Sequence, residues 1–357
     1  MKAAVIHAPH DLRIDQRDTP PMAPDQVTIR VRAGGICGSD LHYFHHGGFG
    51  AIRIQEPMVL GHEIAGEVVE TGSAVTGAAV TGAAVTGAAV NGLRPGDRVA
   101  VNPSLACNHC RFCLLGQQQH CLDMRFYGSA MRMPHIQGGF SEFLVCHASQ
   151  AVPAEMPAER AAFAEPLSVC LHAAAQAGDL MGRRVLVTGA GPIGALCAMV
   201  ARRAGAREIV VTDLLDEPLA VLRRIGADRT LNIAEDPDGL MPFAADKGYF
   251  DVAFECSGSG PALAAAMQVT RPRGTIVQVG LGGAETAVPL NLLVSKELVL
   301  RGTFRFHAEF AAAVDLLARG ALDVAPLLSA IVPLDEAARA FALASDRRRA
   351  MKVQLAI

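Results

Sequence analysis

Four cysteines, Cys107, Cys110, Cys113 and Cys121, lie close together with the spacing C-x2-C-x2-C-x7-C. Four thiolates at this spacing can form a closed tetrahedral shell around one zinc ion. An iron–sulfur cluster uses a similar spacing, but Leu122 stands where that motif has a proline. A nucleic-acid zinc finger would bring a Cys2His2 pattern and a basic surface, and the sequence shows neither. We therefore predict a structural zinc site at these four cysteines.

A second group of potential metal ligands lies in the first 65 residues. Cys37 occurs in the segment GGICGSDLHY, and His62 and Glu63 occur together in VLGHE. A cysteine, a histidine and a carboxylate are ligand types of a catalytic zinc, which has three protein ligands and one open position. Each of these residues alone would more often be a core or surface residue. Their occurrence in a chain that also carries the four-cysteine cluster favours a catalytic metal site.

A glycine-rich segment predicts a nucleotide site. Gly189-Ala190-Gly191-Pro192-Ile193-Gly194 has the pattern G-x-G-x-x-G, follows the apolar run VLVT and opens a long helical pattern. In that setting the glycines permit a tight turn and bring the backbone close to a pyrophosphate at a helix N-terminus. Asp213 ends the next apolar run, where an acidic group holds ribose hydroxyls, and Asp216 and Glu217 follow closely. These acidic residues would repel a 2′-phosphate, so we expect NAD to be favoured over NADP.

The strands and helices that must position these residues indicate an α/β protein whose sequence has two different patterns. Residues 1–150 are rich in Gly, Pro and His and carry short β-branched runs, which predicts a β-rich region of short strands. From Arg184 onward, apolar runs alternate with Ala- and Leu-rich helical patterns, which predicts a doubly wound parallel sheet. We place the domains at 1–153, 154–300 and 301–357, with the last segment returning to the first domain.

The only internal repeat is TGAAV, which occurs three times in residues 76–90. Without it the chain reads VVETGSAVNGLRPGDRVAV, which is a strand, a glycine-rich turn and a second strand. A repeat this short does not form a solenoid unit. We predict a low-complexity insertion in a surface loop, where extra length costs little closure entropy.

The composition excludes several classes of protein. The chain has 357 residues, of which 51% are apolar and 19% charged, and its formal net charge is −3. This length suggests two domains, and this charge provides no basic field for nucleic acid or an anionic membrane. The uncharged stretches 71–93 and 185–201 are interrupted by glycines, so we predict no membrane span. Nine cysteines in a chain that starts without a signal-peptide pattern favour reduced thiols and a cytoplasmic location.

Taken in order, GGICGSD, GHE, the four-cysteine cluster and the glycine-rich segment resemble the zinc-dependent medium-chain dehydrogenases. The resemblance covers essentially the whole chain apart from residues 76–90. It implies a GroES-like catalytic domain, a Rossmann domain, two zinc ions per chain and a nicotinamide cofactor, NAD or alternatively NADP. It also implies a homodimer or homotetramer and cofactor contacts at Val279 and Gly280.

Residues 164–167, AEPL, resemble the polyol dehydrogenase branch of that family, in which Glu165 replaces the second cysteine ligand of alcohol dehydrogenases. The segments DMRFYGSAMRMPH, KGYFDVAFECSG, VQVGLGG, RGTFRF and KVQL resemble the L-idonate 5-dehydrogenases of that branch. The expected reaction is oxidation of a CH–OH group in a small sugar acid or polyol. A sorbitol, xylitol or threonine dehydrogenase on the same scaffold is the alternative. A zinc-free nucleotide-binding relative would lack Cys37, His62 and Glu165, which are all present.

The resemblance also assigns the ligands of the catalytic zinc. Cys37 and His62 hold the ion, while Glu63 and Glu165 share the remaining positions, one on the metal and the other behind a bound water. The sequence leaves open which glutamate is the direct ligand. Asp40 matches a carboxylate that orients the zinc histidine and fixes its tautomer.

Ser39, His42 and Tyr43, which follow Cys37 in the sequence, match positions that bind or deprotonate the substrate hydroxyl group in this family. Ser39 and His42 match a relay that carries the hydroxyl proton outward through the cofactor ribose, and the intrinsic pKa of histidine suits that task. A surface histidine without this role is the alternative for His42. Tyr43 matches a residue that binds substrate hydroxyls in the polyol branch.

The carboxylate of a sugar acid requires a cation that a neutral polyol does not. Arg125 and Arg305 are the candidates, because a guanidinium can pair with a carboxylate through two hydrogen bonds, and His135 is a weaker third. Arg305 also matches a residue that binds the hydroxyls of neutral polyols. Arg125 is therefore the more diagnostic position, with a solvated arginine beside the four-cysteine segment as the alternative.

Overall fold

The protein is described by a computed structural model that covers residues 1–75, 92–283 and 285–357. The TGAAV repeat at residues 76–90, predicted to be a loop insertion, lies outside the described residues. The described chain forms two compact units. The first unit comprises Met1–Ser168, Phe306–Asp346 and Lys352–Ile357, and the second comprises Val169–Arg305 and Arg347–Met351. The division into domains after residues 153 and 300 stays a prediction.

The order of strands and helices agrees with the two sequence patterns, short strands in the first 150 residues and alternating strands and helices from Arg184 onward. The strands are β1 (Lys2–Ala8), β2 (Asp11–Gln16), β3 (Gln26–Gly35), β4 (Gly48–Phe49), β5 (Ile52–Arg53), β6 (Met58–Val59), β7 (Glu63–Thr71), β8 (Arg98–Val101), β9 (Ser104–Leu105), β10 (Arg125–Phe126), β11 (Phe143–His147), β12 (Ala151–Pro153), β13 (Arg184–Thr188), β14 (Glu208–Asp213), β15 (Arg229–Asn232), β16 (Phe250–Glu255), β17 (Thr270–Gln278), β18 (Val299–Gly302), β19 (Leu328–Pro333) and β20 (Lys352–Ala356). The helices are α1 (Gly38–His46), α2 (Arg111–Leu114), α3 (Ala158–Ala161), α4 (Ala164–Ala177), α5 (Pro192–Arg203), α6 (Asp216–Arg224), α7 (Gly260–Val269), α8 (Leu290–Ser295), α9 (Glu309–Ala318) and α10 (Ala337–Ser345). Within the described residues, no helix is both long and apolar enough to cross a lipid bilayer.

The first unit is built around β3, the long strand at the centre of its largest sheet. Val27, Ile29 and Val31 are buried on one face of β3, whereas Arg30 and Arg32 alternate with them and are exposed. In the described residues the sheet runs in the order β12-β8-β7-β3-β20-β19, and β11 also pairs with β3. The resulting β-rich unit agrees with the short β-branched runs of the first 150 residues.

The carboxyl end of β3 is the point at which three strands meet. Gly35 is paired with Glu63, the first residue of β7, and on the other side with Gln354 of β20. A Cβ atom at position 35 would lie 2.0 Å from Oε2 of Glu63. Glycine at this position therefore leaves the space that the Glu63 carboxylate occupies.

Helix α1 begins immediately after β3 and is fixed by its own first turn. Cys37 is the N-cap in extended conformation, and its amide donates a hydrogen bond of 2.9 Å to Oδ2 of Asp40, the third helical residue. The helix ends at Gly47, whose φ of 67° is the left-handed conformation that favours glycine at this position. The cap thus holds Cys37 at the start of α1, beside the ends of β3 and β7.

The second unit contains a parallel sheet, which in the described residues has the strand order β15-β14-β13-β16-β17-β18. The chain starts in the middle with β13, moves outward to β15, and then returns to the other side of β13 with β16. This reversal of strand order is the point at which dinucleotides bind in doubly wound folds. The predicted fold class, a GroES-like β-rich unit and a Rossmann sheet, is confirmed.

We predict that Gly35→Ala lowers the free energy of unfolding by about 1–3 kcal/mol, the range for overpacking a filled site. The added methyl group would displace the Glu63 carboxylate from its position. Equilibrium urea unfolding of the purified protein measures the effect. Gly38→Ala is the matched control, because a Cβ there meets nothing within 4 Å. Equal free energies for the two variants would contradict the prediction.

Candidate zinc and dinucleotide sites

Three potential zinc ligands converge in the first unit. Ligand atoms of Cys37, His62 and Glu63 all lie within 4.8 Å of one another. Cys37 caps α1, His62 precedes β7, and Glu63 begins β7. Two ligand atoms on one tetrahedral zinc ion lie roughly 3.3–3.8 Å apart, given zinc–ligand distances of about 2.0–2.3 Å. The three side chains are therefore close enough to bind a single ion.

The histidine of this group is held by the cap of α1. Oδ1 of Asp40 lies 3.8 Å from Nδ1 of His62 and also accepts a hydrogen bond of 3.3 Å from the Gly61 amide. Asp40 is fully buried, and burial raises the pKa of its carboxyl group. Within the described residues, Nδ1 of His62 is a buried nitrogen without a hydrogen-bond partner. A carboxylate behind a metal-binding imidazole is the arrangement that sets its tautomer.

Glu63 is paired with a lysine that the sequence analysis did not single out. Nζ of Lys352 lies 2.5 Å from the Glu63 carboxylate and donates a second hydrogen bond of 2.9 Å to the Ile36 carbonyl. Both charged side chains are at most 3% exposed. Burial lowers the pKa of Lys352, but Glu63 and Cys37 raise it more, so the lysine stays cationic. The Lys352 ammonium thus supplies a positive charge directly beside the Glu63 carboxylate.

Glu165 brings a further acidic group to the same region. It lies in the first turn of α4 and is buried. Burial raises the pKa of Glu165 to about 8, and the charges of Glu63 and Cys37 add to this increase. Burial and the charge of Glu63 likewise raise the pKa of Cys37 to about 11. With their pKa values raised, Glu165 and Cys37 lose their protons readily only beside a cation, so the donor set fits a divalent cation.

The four-cysteine cluster forms as predicted from its spacing. The Sγ atoms of Cys107, Cys110, Cys113 and Cys121 all lie within 4.8 Å of one another. Sγ of Cys113 is 4.0 Å from that of Cys107 and 3.5 Å from that of Cys110, close to the edge of about 3.8 Å in a zinc–thiolate tetrahedron. Burial raises the pKa of Cys113 to about 12, so full ionisation of the cluster requires a cation. These residues fit a closed structural zinc site.

The predicted proton relay and hydroxyl-binding residues lie on α1. Burial raises the pKa of the Cys37 thiol more than the contact with the Ser39 side chain lowers it. His42 is exposed, and burial of part of its ring together with the nearby His46 lowers its pKa. Tyr43 is only 1% exposed, and its hydroxyl accepts a hydrogen bond of 3.0 Å from the Ala130 amide. Of the three, Tyr43 is thus built into the core of the first unit.

The two candidate arginines lie in different units. Arg125 is exposed on β10, and the ring of its neighbour Phe126 lies 5.4 Å from that of His62. Arg305 is the last residue of the second unit's main segment, and its guanidinium lies 5.0 Å from the centre of the Phe304 ring. The structure therefore brings the Arg125 segment to the zinc ligands of the first unit.

Both ring nitrogens of His135 contact backbone groups. Its Nε2 accepts a hydrogen bond of 2.8 Å from the Gln55 amide, and its Nδ1 lies 2.7 Å from the Arg132 carbonyl. An accepting Nε2 and a donating Nδ1 define a neutral imidazole. This arrangement corrects the weaker suggestion that His135 supplies a cation for a substrate carboxylate.

The glycine-rich segment forms the turn between β13 and α5. Gly189 has a φ of 91°, and a Cβ at position 194 would lie 1.8 Å from the Gly189 carbonyl oxygen. Gly191 is the N-cap of α5, Pro192 follows as its first residue, and a Cβ at position 191 would meet nothing within 4 Å. Ile193 accepts a hydrogen bond through its carbonyl from Cys170. The turn therefore leaves open space in front of the N-terminus of α5, as pyrophosphate binding requires.

A buried glutamate that the sequence analysis missed organises the neighbouring strand ends. Oε2 of Glu255 accepts hydrogen bonds from the Gly258 amide, at 3.0 Å, and the Gln278 side chain, at 2.5 Å. The Glu255 carbonyl accepts hydrogen bonds of 2.8 Å from the amides of Val279 and Gly280. Val279 and Gly280, predicted as cofactor contacts, are thus tied to the carboxyl end of β16.

Asp213 lies at the carboxyl end of β14 and is only 3% exposed. Its Oδ2 accepts hydrogen bonds of 2.6 Å from the Ala190 amide and 2.5 Å from the Arg347 guanidinium. Its Oδ1 accepts hydrogen bonds of 2.7 and 3.1 Å from the amides of Leu214 and Leu215. The residue predicted to hold the ribose hydroxyls thus also connects the glycine-rich turn to β14. The sequence analysis did not identify Arg347.

Each of the two units contains a segment that matches a known protein family. Residues 23–157 match the family described as Alcohol dehydrogenase GroES-like domain, and residues 192–319 match the family described as Zinc-binding dehydrogenase. The first match contains Cys37, His62, Glu63 and the four-cysteine cluster. The second match begins in the glycine-rich turn.

Relatives named for their activities are similar to this chain over nearly its whole length. The L-idonate 5-dehydrogenase (NAD(P)(+)) of Escherichia coli (strain K12) is 43% identical over 92% of this chain and 90% of its own. The sorbitol dehydrogenase of Bos taurus is 35% identical over 94% of this chain and 91% of its own. A crystal structure of L-idonate 5-dehydrogenase from Escherichia coli K-12 superposes with a TM-score of 0.90 at 40% identity, covering 100% of this chain and 98% of that one. This chain belongs to the zinc-dependent medium-chain dehydrogenases, in the polyol dehydrogenase branch, whose members are NAD(P)-dependent oxidoreductases acting on CH–OH groups.

Proposed function

We propose that this protein oxidises L-idonate at C5 to 5-keto-D-gluconate, with NAD or NADP as the acceptor. In this reaction the secondary alcohol gives a hydride to the nicotinamide and releases its hydroxyl proton. The observation that carries the proposal is the convergence of Cys37, His62 and Glu63, in a chain 43% identical to a relative named for this reaction. A neutral polyol such as sorbitol is the second candidate substrate, because sorbitol dehydrogenases are also similar over most of the chain.

The catalytic zinc is held by Cys37, His62 and Glu63, and Glu165 is assigned to the position behind a bound water. Glu63 is favoured as the direct ligand, because only this glutamate groups with Cys37 and His62 among the described residues. The Lys352 ammonium balances the charge of Glu63, and Asp40 orients the His62 ring. The second zinc is held by the four-cysteine cluster. When bound in the catalytic site, zinc acts as a Lewis acid on a substrate oxygen.

Ser39 and His42 are assigned to the path by which the hydroxyl proton leaves. Ser39 follows the metal ligand Cys37 by two residues and hydrogen-bonds to its thiol. His42 lies one helical turn further along α1 and reaches solvent. Because its pKa is lowered, His42 is neutral at pH 7 and can accept a proton. The pair thus offers a route from the buried thiol to the surface.

The second unit positions the cofactor. The turn at Gly189–Gly194 and the N-terminus of α5 receive the pyrophosphate, and Asp213 faces the adenosine ribose. Val279 and Gly280 form the neighbouring edge of the crevice. We propose NAD as the preferred cofactor and NADP as a second one, in keeping with the similar NAD(P)-dependent L-idonate 5-dehydrogenase of Escherichia coli. The nicotinamide supplies the hydride acceptor, while these residues fix its place.

The substrate carboxylate is assigned to an arginine. Arg125 is favoured because β10 places the adjacent Phe126 against the His62 ring. Arg305 serves a hydroxyl or the carboxylate, and Tyr43 acts from the core of the first unit. A bidentate guanidinium pair distinguishes a sugar acid from a neutral polyol.

The assembly is proposed to be a homodimer or homotetramer, and the location cytoplasmic. In the described sheet of the second unit, β18 lies at an edge, and all four of its residues are exposed. Val299 and Leu300 are each 39% exposed on that strand. An exposed apolar edge strand can pair with a second copy of the same strand.

We predict that fully loaded protein contains two zinc ions per chain. Cys110→Ser should lower zinc content to one and reduce stability, because a closed metal site contributes folding free energy. Cys37→Ser should abolish turnover while the fold and cofactor binding are retained. Elemental analysis, thermal unfolding, steady-state turnover and NADH titration measure the four effects. One zinc ion per chain in purified active enzyme would contradict the assignment.

We predict that L-idonate is oxidised with a kcat/KM at least about tenfold above that of sorbitol. Arg125→Met should cost roughly 1.5–3 kcal/mol in transition-state binding of L-idonate, the range for a hydrogen bond to a charged group, and much less with sorbitol. Steady-state kinetics on both substrates measures the difference, and Arg305→Met tests the second candidate. Equal losses on both substrates reject a carboxylate role for that arginine, and a native preference for sorbitol overturns the substrate assignment.

We predict that Leu300→Lys disrupts assembly, because a charge on β18 opposes pairing of two strand edges. Multi-angle light scattering at micromolar concentration should show oligomers for the native chain and monomers for the variant. Met241→Lys, at a position 50% exposed in the same unit, is the control that keeps the native mass. An unchanged mass for Leu300→Lys would exclude the β18 edge as the interface.

A further inference from the structure

The acceptor positions of Asp213 are filled by four donors. Three of them are backbone amides, from Ala190, Leu214 and Leu215, and these are fixed by the turn and the end of β14. The fourth is the Arg347 guanidinium, at 2.5 Å from Oδ2. A carboxylate offers about four lone-pair positions. A ribose hydroxyl can therefore bind Asp213 only by taking the position that Arg347 now holds.

Arg347 is the donor that is able to move. Its side chain is 48% exposed, whereas that of Asp213 is 3% exposed. Arg347 begins the short segment Arg347–Met351, which packs as part of the second unit. Arginine side chains have several rotatable bonds, and a half-exposed one can change rotamer at small cost. The amide donors to Asp213 belong to the backbone and have no such freedom.

The same segment brings two cations to the acidic cluster of Asp213, Asp216 and Glu217. Arg347 pairs with Asp213, and Arg348 lies 3.4 Å from Glu217. The sequence analysis expected the acidic residues at the end of β14 to repel a 2′-phosphate. With two guanidinium groups beside them, that repulsion is offset at the ribose-binding end of the strand.

We infer that Arg347 is the residue that admits NADP to this site, as the cation for its 2′-phosphate. With NADP, the guanidinium leaves Asp213 and pairs with the phosphate through a charge-assisted, bidentate contact. With NAD, the ribose hydroxyl displaces the guanidinium, which gains no new partner. Arg347 thus favours NADP at the expense of NAD. The inference rests on the proposed use of NAD(P) but not on the identity of the alcohol.

The decisive measurement compares two ligands that differ only in the 2′-phosphate, AMP and adenosine 2′,5′-bisphosphate. Isothermal titration calorimetry on the full-length native protein and on Arg347→Gln gives the four dissociation constants. We expect Arg347→Gln to raise the constant for the bisphosphate at least tenfold, while that for AMP stays the same or falls. In turnover, the ratio of kcat/KM with NADP to that with NAD should fall by a similar factor.

Arg349→Gln is the matched control, because it removes the same charge from the neighbouring exposed position. It should leave both dissociation constants within twofold. Arg347→Lys keeps the charge without the planar fork, and it should weaken bisphosphate binding at least threefold with AMP binding unchanged. This variant decides the question if Arg347→Gln does not fold.

Equal changes for the two ligands, or equal effects of Arg347→Gln and Arg349→Gln, would overturn the inference. Selective loss of bisphosphate binding in a protein that does not oxidise L-idonate would leave the inference standing and reject the proposed substrate. The two failures are therefore separable.

Discussion

The arrangement of the first unit depends on balancing negative charge in a buried space. Glu63 is buried beside the partly exposed Cys37, and Lys352 is 2.5 Å from the Glu63 carboxylate. Removing a carboxylate from water is costly unless an opposite charge is close, and the ammonium supplies only one such charge. Deprotonation of the Cys37 thiol, whose pKa is raised to about 11, would add a second negative charge, which a divalent ion offsets. The close pairing of β3 with β7 and β20, and glycine at position 35, are consequences of building this centre.

Features that depend on local spacing could be predicted from the sequence. The four cysteines are close along the chain, so their spacing alone restricts the geometry, and the structure brings them together. The turn at Gly189–Gly194 was predicted from glycines that lie between an apolar run and a helical pattern. In the structure these two flanking segments are β13 and α5. The parallel sheet of the second unit followed from alternating strand and helix patterns. In each case the information lies within about one supersecondary unit.

Features that depend on distant pairing could not be predicted in this way. Lys352 is 289 residues from Glu63, and Arg347 is 134 residues from Asp213. No periodicity or spacing connects such residues, because β20 is brought beside β3 by sheet assembly rather than by local sequence. The signal available for Lys352 was a lysine at the start of the apolar run KVQL, where a charge requires a buried partner. Glu255, at the end of the apolar strand β16, carried the same signal.

The two carboxylates with the clearest predicted roles, Glu63 and Asp213, have the same physical problem. Each lies at a strand end, each is buried, and each is partnered by a cation from the last residues of the chain. At Glu63 the cation is itself buried and also hydrogen-bonded to the Ile36 carbonyl, so it stays beside the carboxylate. At Asp213 the cation is half-exposed and held at a single acceptor position, so a ligand can replace it. A sequence motif that contains a carboxylate therefore indicates which ligands the carboxylate can bind. Whether a ligand does bind depends on whether the cation paired with the carboxylate is able to move away.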